Sequence, residues 1–132
     1  MEAHRGRGKF SVKARVRSIG FALEGVRTLM LTQYNAWVHC VAIVAVCGFG
    51  FWLEVSRMEW AVLVLAMMAV LSAEALNTAM EFLADAVIPE EHPEVKKAKD
   101  VAAGGVLIAA IASVIIAMLI LMPHLIARCW GG

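Results

Sequence analysis

The sequence predicts an all-α integral membrane protein with an N-terminal amphipathic surface helix followed by three transmembrane helices. Of its 132 residues, 61% are hydrophobic and 17% are charged, whereas a soluble domain is roughly 45–50% apolar. Residues 36–53, 60–73 and 101–126 contain no Asp, Glu, Lys or Arg, and a spanning helix needs about 20 mostly apolar residues. We therefore expect one membrane domain over residues 1–132, and a soluble nucleotide-binding fold is excluded.

The positive charges are distributed unevenly along the chain. Seven of the 12 Lys and Arg residues precede residue 36, and three more lie at positions 96, 97 and 99. Only Arg57 and Arg128 are found elsewhere. Because Lys and Arg are enriched in cytoplasmic segments, the N-terminus and the loop between the second and third spans are expected in the cytoplasm, and the C-terminus outside.

The segment of about residues 10–33 has the periodicity of an amphipathic helix. Apolar residues recur at steps of three and four along it, at Val12, Val16, Ile19, Leu23, Val26 and Met30. Charged residues lie between them and form a basic polar face. This pattern, next to a spanning segment, predicts a helix in the cytoplasmic headgroup layer. A helix packed on a soluble partner is the alternative.

Three transmembrane helices are predicted at about residues 36–54, 59–87 and 99–122. Trp37 and Trp52 lie near the two ends of the first, where indole rings favour the membrane interface. Pro89 is expected to end the second helix, and the third is expected to end before Pro123.

Four polar residues of the second predicted span share one helical face: Glu74, Asn77, Glu81 and Asp85. At 100° per residue, their bearings are about 0°, 300°, 340° and 20°. If Glu59 lies at the outer surface, Glu74 is about 22 Å into the membrane and Glu81 about 33 Å. Because carboxylates at membrane depth are costly, a functional site is the default interpretation. A polar packing stripe or an ion pair with a neighbouring span is the alternative.

A second group of charged residues is expected at the same cytoplasmic level: Glu90, Glu91, His92, Lys96, Lys97, Lys99 and Asp100. Carboxylate oxygens suit Mg²⁺ and lysines suit phosphates, so the two groups together are what phosphoryl transfer to a lipid headgroup requires. A solvated run of charge is the alternative for residues 90–97. The chain has no GxxxxGK[ST], GxGxxG, HRD or DFG signature. The residues alone therefore predict a metal-competent polar site at the cytoplasmic interface.

Two motifs in this region carry a resemblance to a known family. Residues 74–81 read EALNTAME and residues 92–107 read HPEVKKAKDVAAGGVL, and an FAxxGxR segment lies at residues 21–27. With these motifs, the chain closely resembles the small bacterial diacylglycerol kinase family over residues 10–122. The NAWVH string at residues 35–39 and the His-Pro pair at 92–93 resemble the undecaprenol kinase branch of that family.

The resemblance implies a homotrimeric lipid kinase of the bacterial inner membrane that uses ATP and Mg²⁺, with active sites shared between subunits. By matching position, Glu74 is expected to be the general base that accepts the proton of the lipid hydroxyl, with Asn77 orienting the site beside it. Glu81 is expected to bind the metal and the nucleotide. Further nucleotide contacts are expected from Glu90, His92, Lys99 and Asp100. Arg27 and Asn35 are expected to contact the substrate together with Glu74.

The chain departs from the family pattern at Gln33. The family usually has a second metal-binding glutamate two residues before the asparagine that corresponds to Asn35. A glutamine offers Mg²⁺ a carbonyl oxygen but no negative charge. Either metal binding is weaker, or another carboxylate compensates, or this position has been altered. We keep Gln33 in the predicted metal site, with a buried glutamine that only joins two helices as the alternative.

Two other classes of protein remain open at this stage. A small multidrug or ion transporter also uses an intramembrane glutamate, although such a protein commonly has four spans and an acid that is open to both sides in turn. A non-enzymatic membrane assembly subunit would use Glu74 and Asn77 only as interhelical contacts. Within the kinase interpretation, the lipid acceptor is either undecaprenol or diacylglycerol.

Overall fold

The computed structural model describes residues 11–131, which form four helices. These are α1 (Val12–Thr32), α2 (Tyr34–Trp52), α3 (Arg57–Val87) and α4 (Pro93–Trp130). Within the described residues, α2, α3 and α4 are long and apolar enough to cross a membrane. The prediction of an all-α membrane protein with three spanning helices is thus confirmed, while the start of the surface helix near residue 10 and the basic residues before it lie outside the described part.

The start of α4 differs from the sequence prediction. The third span was expected from residue 99, with a hydrophilic loop before it, but α4 begins at Pro93. His92 is the N-cap, since its Nδ1 accepts a hydrogen bond from the Glu94 N–H at 3.2 Å. Proline is favourable in the first turn because its missing N–H has no helical partner there. Residues 93–98, which were expected in the hydrophilic loop, therefore belong to the helix instead.

The end of α4 also differs, and the prediction that the helix stops before Pro123 is wrong. The helix continues through this proline to Trp130. Neighbouring helices make proline tolerable inside membrane helices, and here His124, the residue after the proline, contacts α3. His124 Nε2 lies 2.8 Å from Glu59 Oε1, which holds the last turns of α4 beside the start of α3.

The remaining boundaries lie close to the predicted ones. A single extended residue, Gln33, separates α1 from α2, so α2 begins at Tyr34 instead of residue 36 and ends at Trp52. α3 begins at Arg57 with a capping box, in which the Ser56 and Glu59 side chains each bind the other's backbone N–H. It ends at Val87, before Pro89 as predicted.

α3 is the central helix of the described chain. Its buried residues follow the spacing of a helix with neighbours along one side: Leu63, Ala66, Met67, Val70, Glu74, Asn77 and Thr78. α4 packs along α3, and the Ser113 hydroxyl donates a hydrogen bond to the Ala66 carbonyl at 2.9 Å. Because α3 contacts each of the other three helices, its polar residues are the ones that the fold encloses.

The apolar core lies toward the end of the bundle where α2 ends and α3 begins, which we call the α2–α3 end. The buried residues of this cluster are Leu53, Val55, Leu63 and Met67. Gly50 admits the ring of Trp60, because a Cβ at this glycine would lie 2.8 Å from it. The polar residues of α3 lie toward the opposite end, where α3 ends and α4 begins. We call this the α3–α4 end.

α1 packs on the α3–α4 half of α3. Leu29 is its buried residue, and the indole N–H of Trp37 in α2 donates to the Met30 carbonyl at 2.8 Å, which joins α1 to α2. The apolar residues earlier in α1 are exposed in the single chain. Their placement in a membrane interface stays a prediction.

Glu54, in the turn between α2 and α3, has a left-handed backbone with φ of 56°. β-branched residues are strained in this region and glycine is not. We expect Glu54→Val to lower the free energy of unfolding by about 1 kcal/mol or more, whereas Glu54→Gly should keep or raise it. Thermal unfolding of the two variants in the same detergent, followed by circular dichroism, measures this difference. Equal midpoints for the valine and glycine variants would contradict it.

Candidate functional site

Three polar side chains of α3 are buried next to one another: Glu74 is 1% exposed, Thr78 4% and Asn77 7%. Both carboxylate oxygens of Glu74, the Asn77 Oδ1 and the Thr78 Oγ1 are buried without a hydrogen-bond partner in the described chain. Buried polar atoms without partners are costly. A fold that retains four of them in one place is expected to supply partners from a bound molecule, from water or from another subunit.

The four polar residues that were predicted to share one helical face, which we call the stripe, all lie on α3: Glu74, Asn77, Glu81 and Asp85. Asn77 Nδ2 donates a hydrogen bond to Glu81 Oε1 at 3.1 Å. The Asn77 Oδ1 is buried and has no hydrogen-bond partner among the described residues. Asn77 therefore fixes one oxygen of Glu81 and offers its own oxygen to whatever occupies the site.

The last residue of the stripe connects α3 to α4. Lys99 Nζ bonds Asp85 Oδ1, so the start of α4 is held against the end of α3. The Lys99 side chain is 33% exposed, in contrast to its neighbours, which face solvent. The predicted nucleotide contact at Lys99 thus lies at the same end of the bundle as Glu81, as the sequence indicated.

The other charged residues at the start of α4 pair with each other. Lys96 Nζ lies 2.8 Å from Asp100 Oδ2, and Lys97 Nζ lies 2.7 Å from Glu94 Oε1. All four side chains are 64–77% exposed, and such pairs contribute little to stability. Breaking them to contact a phosphate would therefore cost little.

Two further predicted nucleotide contacts lie around the turn before α4. His92 is engaged as the N-cap of α4, so the observed role of its ring is structural. Glu90 is exposed and has no side-chain hydrogen bond or ion pair among the residues that the structure describes. A nucleotide contact by either residue stays a prediction.

Three predicted site residues, Arg27, Asn35 and Gln33, form no hydrogen bond or ion pair with the stripe among the described residues. Arg27 in α1 and Asn35 in the first turn of α2 are both exposed. Gln33 is half-buried between α1 and α2, and its side chain makes no capping hydrogen bond. A molecule bound at the α3–α4 end would have to bridge these residues to Glu74.

The chain contains no preformed metal cage within residues 11–131, where no group of three or more His, Cys, Asp or Glu side chains is close enough to hold a metal. Mg²⁺ in phosphoryl-transfer enzymes is commonly bound by one or two carboxylates together with the phosphates of the substrate. Glu81 has one oxygen bonded to Asn77 and a second oxygen with no partner in the described chain. The donor set therefore fits a metal that arrives with a nucleotide.

Sequence analysis missed two residues of this region. Thr78 lies about 40° from Glu74 on the helix, but a threonine hydroxyl is common in spanning helices and is not the signal that a carboxylate at membrane depth is. His39 of α2 is half-buried and lines a cavity that reaches Val70 of α3. No pattern in the sequence places residue 39 beside residue 70, because this arrangement depends on how α2 packs on α3.

The fold and the site define a small integral membrane protein with an enclosed polar site at one end of its spans. A sequence model described as Prokaryotic diacylglycerol kinase matches residues 20–121. The chain belongs to this family, and it is a lipid kinase.

Three relatives match most of the chain. It is 38% identical over 109 residues to the undecaprenol kinase of Bacillus subtilis, a match that spans 83% of this chain and 89% of the relative. It is 39% identical over 111 residues to a diacylglycerol kinase of Synechocystis, which covers 83% of this chain and 63% of the relative. The diacylglycerol kinase of Escherichia coli is 28% identical over 109 residues, with 83% and 89% covered.

These similarities confirm the resemblance seen in the motifs and are consistent with the undecaprenol kinase branch. They also decide between the classes of protein that the residues left open. A lipid kinase is supported, and no comparison favours the transporter.

Proposed function

We propose that this kinase transfers the γ-phosphate of ATP to the terminal hydroxyl of a membrane lipid at the cytoplasmic interface, with undecaprenol as the preferred acceptor. The observation that carries the proposal is the enclosed carboxylate of Glu74, which has no hydrogen-bond partner in the described chain and lies two helical turns before Glu81 on the same face of α3. The acceptor is supported by the similarity to the undecaprenol kinase, of which the match covers 89%.

In the proposed reaction, the lipid hydroxyl oxygen attacks the γ-phosphorus while its proton passes to a Glu74 oxygen. The bond between the β- and γ-phosphates breaks, and ADP leaves with the electron pair. Asn77 holds Glu81 through their 3.1 Å hydrogen bond. In this proposal Glu74 acts as the base, and Asn77 is a positioning residue because it holds Glu81.

Glu81 and Gln33 are the residues that would hold Mg²⁺, which when bound neutralises charge that develops on the phosphates. Lys99 is proposed to exchange its Asp85 partner for a phosphate oxygen, and Asp100, Glu90 and His92 to contact the rest of the nucleotide. Arg27 and Asn35 are proposed to lie along the path of the lipid. ATP would enter from the cytoplasm, and the lipid from the side.

We further propose that the enzyme is a homotrimer of the bacterial inner membrane, with its N-terminus in the cytoplasm and its C-terminus outside. The distribution of Lys and Arg supports the orientation. The lack of a complete metal cage within the described residues of one chain supports sites that are shared between subunits. Open space beside Gly104 and Gly105 leaves α4 able to contact a second copy closely.

Competition between acceptors tests the proposed substrate. Purified protein in mixed micelles with labelled ATP and Mg²⁺ receives undecaprenol and diacylglycerol in equal amounts, and the two lipid phosphates are separated and counted. We expect undecaprenyl phosphate to exceed phosphatidic acid by about tenfold or more, a difference of about 1.4 kcal/mol in transition-state binding. Equal labelling, or a preference for diacylglycerol, would contradict undecaprenol as the preferred acceptor.

A further inference from the structure

A groove lies between α1 and α3, beside the buried polar residues of α3. It has a volume of about 380 Å³, within the range of about 300–1,000 Å³ that small-molecule sites occupy. Each wall contains an exposed residue, Gly25 on α1 and Ala79 on α3, so a molecule can enter from the side. We call this space the α1–α3 groove.

The contact between the two helices does not account for the small residues of the groove. Ala22 and Gly25 line it from α1, and Ala75 and Ala79 line it from α3. Small residues between membrane helices usually allow their backbones to approach closely. A Cβ at Gly25, however, would meet no other part of the described chain within 4 Å. The space beside this glycine is therefore left open, although glycine is a poor helix former.

One buried hydroxyl without a partner lines the groove. Thr78 is 4% exposed, and its Oγ1 has no hydrogen-bond partner in the described chain. Thr28, the hydroxyl residue on the opposite wall, donates to the Glu24 carbonyl at 2.9 Å, which is how helical threonines commonly satisfy themselves. The corresponding bond from Thr78 to the Glu74 carbonyl is not formed. The Thr78 hydroxyl is thus left for a molecule in the groove.

The same hydroxyl is a neighbour of the proposed base. Glu74 and Thr78 are four residues apart on α3, and side chains at this spacing have Cβ atoms about 5–6 Å apart. One oxygen atom can bridge such a gap with two O–H···O hydrogen bonds of about 2.7–2.8 Å each. An alcohol oxygen between the two side chains can therefore donate to Glu74 and accept from Thr78.

The lining of the groove indicates the chemistry of this alcohol. Apart from the two threonines, the described residues that line it are apolar or glycine. A matching ligand has one hydroxyl next to an apolar segment, which is the form of a polyprenol. Diacylglycerol carries two ester groups close to its hydroxyl, and their carbonyl oxygens would find no free donor here once Thr78 is engaged. Because buried acceptors without partners are costly, the groove favours the polyprenol.

We propose that the α1–α3 groove holds the hydroxyl end of the polyprenol acceptor, and that Thr78 is a specificity-determining residue whose hydroxyl donates to the acceptor oxygen. One lone pair of this oxygen accepts the Thr78 hydrogen and another attacks the γ-phosphorus, while the proton of the acceptor passes to Glu74. Thr78 keeps its own proton throughout. This inference rests on the proposed function and adds to it the place where the acceptor is selected.

Two substitutions of Thr78 test the hydroxyl. Thr78→Val removes it and keeps the branched shape, whereas Thr78→Ser keeps it. We expect Thr78→Val to lower kcat/KM for undecaprenol about 5- to 10-fold, the scale of one lost hydrogen bond, and Thr78→Ser to stay within about threefold of the wild type. The KM for ATP should change by less than about twofold. The thermal midpoint of Thr78→Val should not fall, because the substitution removes a buried hydroxyl without a partner.

Filling the groove tests its occupant. Gly25→Leu extends a side chain into it and should lower kcat/KM for undecaprenol about tenfold or more, with a smaller loss for diacylglycerol. Its thermal midpoint should not fall, since leucine favours the helix. Gly20→Leu is the matched control on α1, because residue 20 lies outside the groove lining and a Cβ there also meets nothing within 4 Å in the described chain. Ala79→Leu fills the groove from α3 if Gly25→Leu does not fold.

Wild-type kcat/KM for undecaprenol in Thr78→Val, or in a folded variant with a filled groove, would overturn the inference. An equal loss in Gly20→Leu would overturn it by assigning the effect to α1 as a whole. Equal losses for both lipids in Gly25→Leu, together with a lower oligomer mass by light scattering, would overturn it by showing that a second copy of the chain covers the groove. If the wild type phosphorylates neither lipid, the proposed function fails and the inference fails with it, whereas an active wild type with unaffected variants removes the inference alone.

Discussion

Replacing Glu74 with glutamine is expected to abolish lipid phosphorylation and to leave the protein at least as stable as the wild type. The two side chains have nearly the same size, so the buried space at 1% exposure remains filled. A neutral amide costs less to bury without partners than a carboxylate. Loss of a positioned general base lowers kcat about 10²- to 10⁴-fold.

The opposite directions of these two effects make the test specific. Glu91→Gln is the matched control, because it makes the same change in charge at an exposed position outside the stripe. We expect it to keep activity within about twofold of the wild type and an unchanged thermal midpoint, because no site role is assigned to Glu91 by the resemblance or by a contact in the described residues. Initial rates with labelled ATP and thermal unfolding in detergent measure both quantities. A Glu74→Gln enzyme with the activity of the wild type would remove the proposed base.

Replacing Gln33 with glutamate is expected to lower the Mg²⁺ concentration that gives half-maximal activity by about tenfold or more. Two unit charges 4 Å apart near a protein surface interact by about 4 kcal/mol, and part of this is lost to desolvation. The change should cost little stability, since the Gln33 side chain is half-buried and makes no capping hydrogen bond. Mg²⁺ titrations at saturating ATP and lipid measure the requirement.

The neighbouring residue supplies the control for an added charge. Tyr34 is 90% exposed, so Tyr34→Glu adds the same charge one residue away without entering the site. This variant should keep the Mg²⁺ requirement of the wild type, and Gln33→Leu should raise it. If Gln33→Glu and Tyr34→Glu have the same Mg²⁺ dependence, Gln33 does not take part in metal binding.

The spanning helices were predictable because the membrane imposes a length and a composition that are visible in the sequence. The start of α4 was not, since the charged residues after His92 resemble a loop when only hydropathy is considered. Capping and proline at the first position decide that start. α4 continues through Pro123, and the next residue, His124, contacts Glu59, which is 65 positions away and is not paired with it by any local pattern.

The candidate site was also predictable only in part. Glu74, Asn77 and Glu81 could be placed on one face from helical geometry alone, and the hydrogen bond from Asn77 to Glu81 agrees with it. The position of His39 in the cavity that α2, α3 and α4 line depends on the packing of these helices, which no local pattern encodes. Arg27 and Asn35 are exposed in the single chain, so any contact they make with substrate depends on bound molecules and on other subunits.

The most direct test of the central claim is the stoichiometry of the reaction in proteoliposomes. Purified wild-type protein with Mg²⁺, ATP and undecaprenol is sampled over time, and ADP and undecaprenyl phosphate are quantified in the same samples by mass spectrometry. The account predicts one undecaprenyl phosphate for each ADP, with neither product formed by Glu74→Gln. ADP release without lipid phosphate, or equal lipid phosphate from the wild type and Glu74→Gln, would contradict it.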